Sequence, residues 1–234
     1  MSTQNKDIFG ILSAIEHNYG VFTYYQRFMQ LLGTINSIKK YAPNSDMCLI
    51  DCSETPISDT ILPIIKHNVS DITLMHSHPL VKYGGDPSDT NRTLRKTLGE
   101  IIGMRAYLTK IKFSGKTYRR VFKLSGRYTL TTNFANINYD EMKDKVVIAK
   151  KQIWYGDPSR YIRLWSFDFN QLDIMISVFD RIYYETLTSM NSIGTCRIIE
   201  YSLTKIFDEM NIPLYESSVG VSGYYGQDGV SVND

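Results

Sequence analysis

Val121-Phe-Lys-Leu-Ser-Gly-Arg-Tyr-Thr-Leu130 lies near the middle of a chain of 234 residues. Val121 and Lys123 fall on one side of an extended backbone, Phe122 and Leu124 on the other, which is strand spacing. Ser125-Gly126-Arg127 then breaks the apolar run. A glycine inside a strand pattern marks a bulge or a close approach to the backbone. Arg127 adds a fixed cation whose planar fork suits phosphate or carboxylate. Two readings stand here: a strand end with a surface arginine, or a loop that handles an anion.

Outward from this stretch, strands and helices alternate. Toward the N-terminus, Ile8 to Ile15 is a short apolar run of the kind a buried parallel strand shows. Tyr24 to Lys40 carries Phe28, Leu31, Leu32, Ile35 and Ile38 at helical steps, with Lys39 and Lys40 at its end. Asp46 to Asp51 reads as the second strand and Asp71 to Met75 as the third. The helix between them is expected over Asp59 to His67, and a long one over Thr93 to Leu108, where Gly99 signals close packing or a break. Val81 to Asn91 reads as a loop. Toward the C-terminus, Val146 to Trp154 and Tyr161 to Phe167 look strand-like. Asn170 to Met190 and Thr195 to Met210 look helical. Residues 219–234 read as a lid or a disordered tail. The order predicts an α/β fold: a Rossmann-type mixed, largely parallel sheet flanked by helices, with a helical C-terminal part. A single domain is expected, with residues 219–234 as its tail.

Composition narrows the function. The net charge is +2 without a long basic run, so bulk electrostatic binding of nucleic acid is not indicated. The three cysteines, Cys48, Cys52 and Cys196, form neither a zinc set nor a disulfide scaffold, and favour a reducing, cytoplasmic compartment. No apolar run approaches the roughly 20 residues needed to span a bilayer, and Met1 to Asp7 has no signal-peptide pattern. No Walker loop, Rossmann glycine fingerprint or Gly-x-Ser-x-Gly elbow occurs.

Ligands of open parallel sheets bind outside the carboxyl ends of the strands. Four loops belong there: Glu16 to Gly20, Asp51 to Thr55, His76 to Lys82 and Ser125 to Tyr128. Asp51, Ser53 and Glu54 offer carboxylate and hydroxyl to a base or ribose, or else cap the next helix. His76 and His78 read as a solvated loop.

Three stretches carry a family resemblance: Ile11-Leu-Ser-Ala-Ile through Thr34-Ile-Asn-Ser-Ile-Lys-Lys-Tyr-Ala-Pro43, Leu49-Ile-Asp-Cys-Ser-Glu54, and Phe122-Lys-Leu-Ser-Gly-Arg-Tyr128. In this order they resemble the GT-A type glycosyltransferases, the nucleotide-diphosphosugar transferase fold, in its bacterial and viral members. Arg163-Leu-Trp-Ser-Phe167 and Ile199-Glu-Tyr-Ser-Leu203 are similar to that set as well. The resemblance implies a hexosyltransferase-like enzyme of glycan biosynthesis in a single domain, with a nucleotide-binding half at 1–132, an acceptor side and C-terminal helices at 133–218 and a flexible tail or lid at 219–234. It would move a sugar from a UDP-, GDP- or dTDP-sugar to a saccharide or other hydroxyl acceptor. It places the nucleotide sugar near Ser13, Asp51, Ser53, Glu54, Lys123, Ser125, Gly126 and Arg127.

Family members place an Asp-x-Asp metal motif after the fourth strand, where this chain has Ser125-Gly-Arg127. Either Arg127 and Lys123, with Arg119 or Arg120, neutralise the diphosphate without metal, or a Mn or Mg ion is held by Asp86, Asp89, Asp157 or Asp168. No metal ligand is assigned. For an inverting transfer, Asp168 and Glu200 are the candidate bases; a retaining one needs neither. Two alternatives remain: a nucleotidyltransferase for sugar phosphates, against which Ile11 to Gly20 lacks a glycine-rich basic loop, and a non-catalytic saccharide-binding module.

Overall fold

The computed structural model describes residues 6–16, 20–84, 92–154, 156–193, 197–225 and 228–234. Its centre is a seven-stranded sheet in the order β10-β6-β9-β4-β1-β2-β3. The strands are β1 (Ile8–Ser13), β2 (Asp46–Asp51), β3 (Asp71–Leu74), β4 (Arg120–Ser125), β6 (Val146–Ile148), β9 (Leu164–Asp168) and β10 (Leu214–Glu216). β1 pairs in parallel with β2 and β4, and β2 with β3. β9 alone runs backwards, antiparallel to both β4 and β6, while β10 is parallel to β6. The fold is therefore α/β with a mixed, mostly parallel sheet. Strands from 1–132 and from 133–218 share that one sheet.

Helices cover both faces, which is why β1 is apolar throughout. On one face lie α1 (Tyr24–Tyr41), α2 (Leu62–Asn68) and α5 (Thr132–Ala135). The other carries α3 (Pro79–Gly84), α4 (Arg92–Phe113), α6 (Leu172–Ile193) and α7 (Ile199–Glu209). Phe9, Ile11, Phe122 and Leu124 pack toward the first set. Ile8, Leu12, Val121, Trp165 and Phe167 pack toward the second. The two-residue alternation read in Val121 to Leu124 is the division between these two cores. α1 opens with a capping box between Thr23 and Gln26 and ends at Lys39 and Lys40, as its periodicity predicted. α2 starts later than expected, at Leu62, because Pro63 fits the first helical turn, where no N–H is needed. Part of the expected Val81 loop is the short helix α3. No helix among the described residues is long and apolar enough to cross a membrane.

The Ser125-Gly-Arg break is a change of sheet. β4 ends at Ser125, and β5 (Tyr128–Leu130) joins a separate three-stranded sheet with β11 (Val221–Tyr224) and β12 (Ser231–Asn233). The C-terminal segment is thus folded, with Val219 and Val221 buried, where a lid or a disordered tail was expected. A small hairpin, β7 (Gln152–Trp154) with β8 (Asp157–Ser159), divides the expected strand Val146 to Trp154 into two.

Candidate functional site

The carboxyl ends of β1, β2 and β4 form a continuous rim. Ser13 is in register with Asp51, and Leu12 with Ser125. Asp51 is 2% exposed, and both of its oxygens are engaged: Ile15 N–H donates to one at 3.2 Å and Ser53 N–H to the other at 3.1 Å. Burial pushes its carboxyl up to about 6, against the lowering effect of the hydrogen bonds from Ser53 and Ile15. Glu16 N–H donates to Ser53 Oγ at 2.9 Å, and Cys52 N–H to the Ser13 carbonyl at 2.8 Å. Asp51 and Ser53 therefore tie the β1 loop to the β2 loop, and Glu54 follows, half-buried. Gly126 completes the rim: its N–H donates to the Leu12 carbonyl at 2.7 Å, and a Cβ there would lie 3.2 Å from that oxygen and from the Ser13 side chain.

Lys123 does not reach this rim. It is 1% exposed, and its ammonium donates to Glu100, to Ser125 Oγ at 2.9 Å and to the Ile162 carbonyl at 2.5 Å. Three donors meet three acceptors, so none remains for a diphosphate. Arg127, four residues on, is the opposite case. Its side chain is half-exposed, its Nε is shielded from solvent without a hydrogen-bond partner, and it has no ion pair among the described residues.

Two groups at this end were not singled out as site residues from the sequence. Arg163 is buried among Tyr161, Tyr225 and Tyr128, with its guanidinium carbon 3.8, 4.9 and 5.7 Å from their ring centres. It donates to the Tyr225 hydroxyl, its Nε has no partner among the described residues, and its carbonyl accepts the Ser125 N–H at 2.8 Å. Hydrogen bonding to Tyr225, helped by the charge of Arg163, outweighs burial and holds the Tyr161 hydroxyl below its ordinary range. The other is Lys96 on α4, whose ammonium lies 2.5 Å from Glu200 Oε1. Glu200 is 6% exposed, so it is not a helix-surface charge, and its Oε2 has no partner among the described residues. Burial would raise the Glu200 carboxyl, but Lys96 outweighs it and keeps the group ionised. The only signals in the sequence were the Arg163-Leu-Trp alternation and a lysine four residues before Glu100 on a helix.

Asp168 lies at the other edge of the sheet. β9 runs antiparallel to β4 with Asp168 opposite Arg120, so it lies at the amino end of β4, about 16 Å along the strand from Ser125 at ~3.3 Å per residue. There it pairs with Arg120 at 3.1 Å and accepts the Asp144 N–H. Arg119 and Arg120 share that edge and cannot assist Arg127. Asp157 is exposed on β8; Asp86 and Asp89 lie outside the described residues. Among the described residues no group of three His, Cys, Asp or Glu side chains could hold a metal ion. The Ser125 hydroxyl already accepts from Lys123, so this loop offers a divalent ion a cation and little oxygen.

No protein-family model matches this chain, and no curated protein does. Among the described residues, the site combines a guanidinium without an ion pair, a buried arginine in a tyrosine cage, and an ionised carboxylate with one unbonded oxygen, beside the ends of parallel strands.

Proposed function

We propose that this chain is a glycosyltransferase of the GT-A type, taking a sugar from a nucleotide-diphosphate donor to a hydroxyl acceptor without a divalent metal. The single observation that carries the reading is Arg127, a cation without a partner among the described residues at the carboxyl rim of parallel strands. In the reaction the acceptor oxygen bonds to the anomeric carbon as the bond from that carbon to the diphosphate oxygen breaks. The electron pair leaves with the diphosphate, and a preorganised guanidinium stabilises the charge that develops there. Asp51 and Ser53 serve by shaping the nucleotide loop, since both Asp51 oxygens already accept backbone N–H groups. Of the two carboxylates considered for removing the acceptor proton, only Glu200 reaches this region.

A thermal-shift screen of UDP, GDP and dTDP, with and without Mn2+, tests the reading. Stabilisation by one of them in the presence of a chelator is expected, and the Arg127→Ala protein should lose it. Strict dependence on Mn2+ would overturn the metal-free mechanism. A response to saccharides and to no nucleotide would leave a non-catalytic binding module instead.

A further inference from the structure

We propose that Lys96, held by Glu200, is the second cation of the site, and that Lys96 and Arg127 together grip the two phosphates of a diphosphate. This rests on reading the rim as an anion site.

The geometry begins with helix α4, which descends from the carboxyl edge of the sheet as β1 and β4 ascend. Glu100 on α4 is level with the end of β4, because Lys123 bridges Glu100 and Ser125. Lys96 is one helical turn earlier on the same helix, about 6 Å higher at ~1.5 Å per residue. That turn carries it past the buried ion pair to the level of Arg127, which follows Ser125 by two residues. α4 can lie this close because Gly103 faces Cys52, where a Cβ would come within 2.8 Å of the sulfur. The Cys52 thiol in turn donates to the Gly99 carbonyl at 3.1 Å.

Availability separates the three cations. Lys123 is sealed and has an acceptor for each proton. The Lys96 side chain is 41% exposed and has one contact among the described residues, Glu200 Oε1 at 2.5 Å, which leaves the ammonium further protons to donate. Burial weakens its charge, but Glu200 and Glu100 outweigh that and keep it protonated above the ordinary lysine range; Arg127 is near enough to push the other way. Two cations that repel one another, one of them without an anion among the described residues, are stabilised by a ligand carrying two negative groups. Toward the diphosphate, Glu200 acts as a positioning residue through Lys96, by Oε1, which leaves Oε2 for the acceptor.

The test uses the full-length protein, a chelator, and calorimetric titration with inorganic pyrophosphate, inorganic phosphate and UDP. Pyrophosphate is expected to bind at least about tenfold more tightly than phosphate, because only it spans both cations. Lys96→Ala and Arg127→Ala should each weaken pyrophosphate about tenfold or more, the size of losing one charge-assisted contact. Lys110→Ala, which removes a lysine paired with Asp71 at the opposite edge, should change nothing. Glu200→Gln should weaken pyrophosphate several-fold in the wild-type background and have no further effect beside Lys96→Ala, a dependence that a purely structural role would not show.

Lys96→Ala binding pyrophosphate like wild type would overturn the assignment, as would equal affinity for phosphate and pyrophosphate or no binding of either. Pyrophosphate binding that depends on both cations, with no binding of UDP, GDP or dTDP, would support the two-cation site and refute the transferase reading.

Discussion

Strand β4 carries arginines near both ends, and they are used in opposite ways. At its amino end Arg119 pairs with Asp7 at 2.7 Å and Asp140 at 2.6 Å. Arg120 is 1% exposed and donates to Ser166 Oγ, Asp168 and the carbonyls of Lys145, Met142 and Ser166. At the carboxyl end the Arg127 Nε has no partner among the described residues. A cleft of about 730 Å³ lies at the amino edge, lined by Asp7, Arg119, Tyr139 and Asp140 among others. Its two cations are already paired, Arg119 with Asp7 and Asp140, and Lys6 with Asp46. Cavity size therefore says little about where an anion binds; an unanswered charge says more, because a buried donor left without an acceptor is costly until a ligand supplies one.

The comparison breaks most easily at Arg120. Arg120→Ala should cost about 3–5 kcal/mol of stability, because it leaves Asp168 without its cation in a partly buried place. Chemical denaturation measures this, and a loss below about 1 kcal/mol would remove the distinction between the two edges. Arg127→Ala should do the reverse. Stability should stay within about 0.5 kcal/mol, while transfer falls by roughly 10²–10³-fold, the scale of losing one charge-stabilising donor. Full activity in that protein would sink both the metal-free mechanism and the placement of this loop.

Asp51 tests which class a buried group at the carboxyl edge belongs to. Its folded pKa is about 6, raised from 3.8, so the native state holds the proton more tightly than the unfolded chain. The resulting contribution is fully present below about pH 4 and is lost as the pH rises through 6. At 1.36 kcal/mol per unit the loss amounts to roughly 3 kcal/mol. The stability of wild type relative to Asp51→Asn should decline over that window, and a flat difference would show that Asp51 is solvated. Asp51→Ala should also weaken nucleotide binding by loosening the β1 loop; unchanged affinity would exclude that role.

The smallest expected effect is at the tyrosine cage. Tyr225→Phe removes the hydroxyl that accepts from Arg163 and should cost about 1 kcal/mol in thermal unfolding. It is a cleaner probe of the C-terminal segment than truncation at Gly220, which would also remove the buried Val221 and its pairing with Leu130.

Much of the scaffold was legible because its signal is local. The apolar steps of Tyr24 to Lys40 and the run Asp46 to Asp51 gave a helix and a strand within one residue of their observed bounds. The break at Ser125-Gly-Arg127 was visible too, since a small flexible residue and a charge cannot continue a buried strand. Its meaning was not visible. That β5 leaves the main sheet depends on β11, which lies about 90 residues later; Thr129 bonds Ser222 across that span.

By itself, then, the sequence determined the alternation of strands and helices, the two-faced core and the presence of Arg127 at a strand end. Periodic burial is a property of a few consecutive turns or residues, so it can be read without the rest of the chain. Only the tertiary structure decided which charges are scaffold and which are free. Lys123 looked available and is sealed by Glu100. Asp168 looked catalytic and is bound to Arg120, 48 residues away. Lys96, which no sequence pattern singled out, meets Glu200 across 104 residues. A charge's availability is set by its partners, and here those partners arrive from distant parts of the chain.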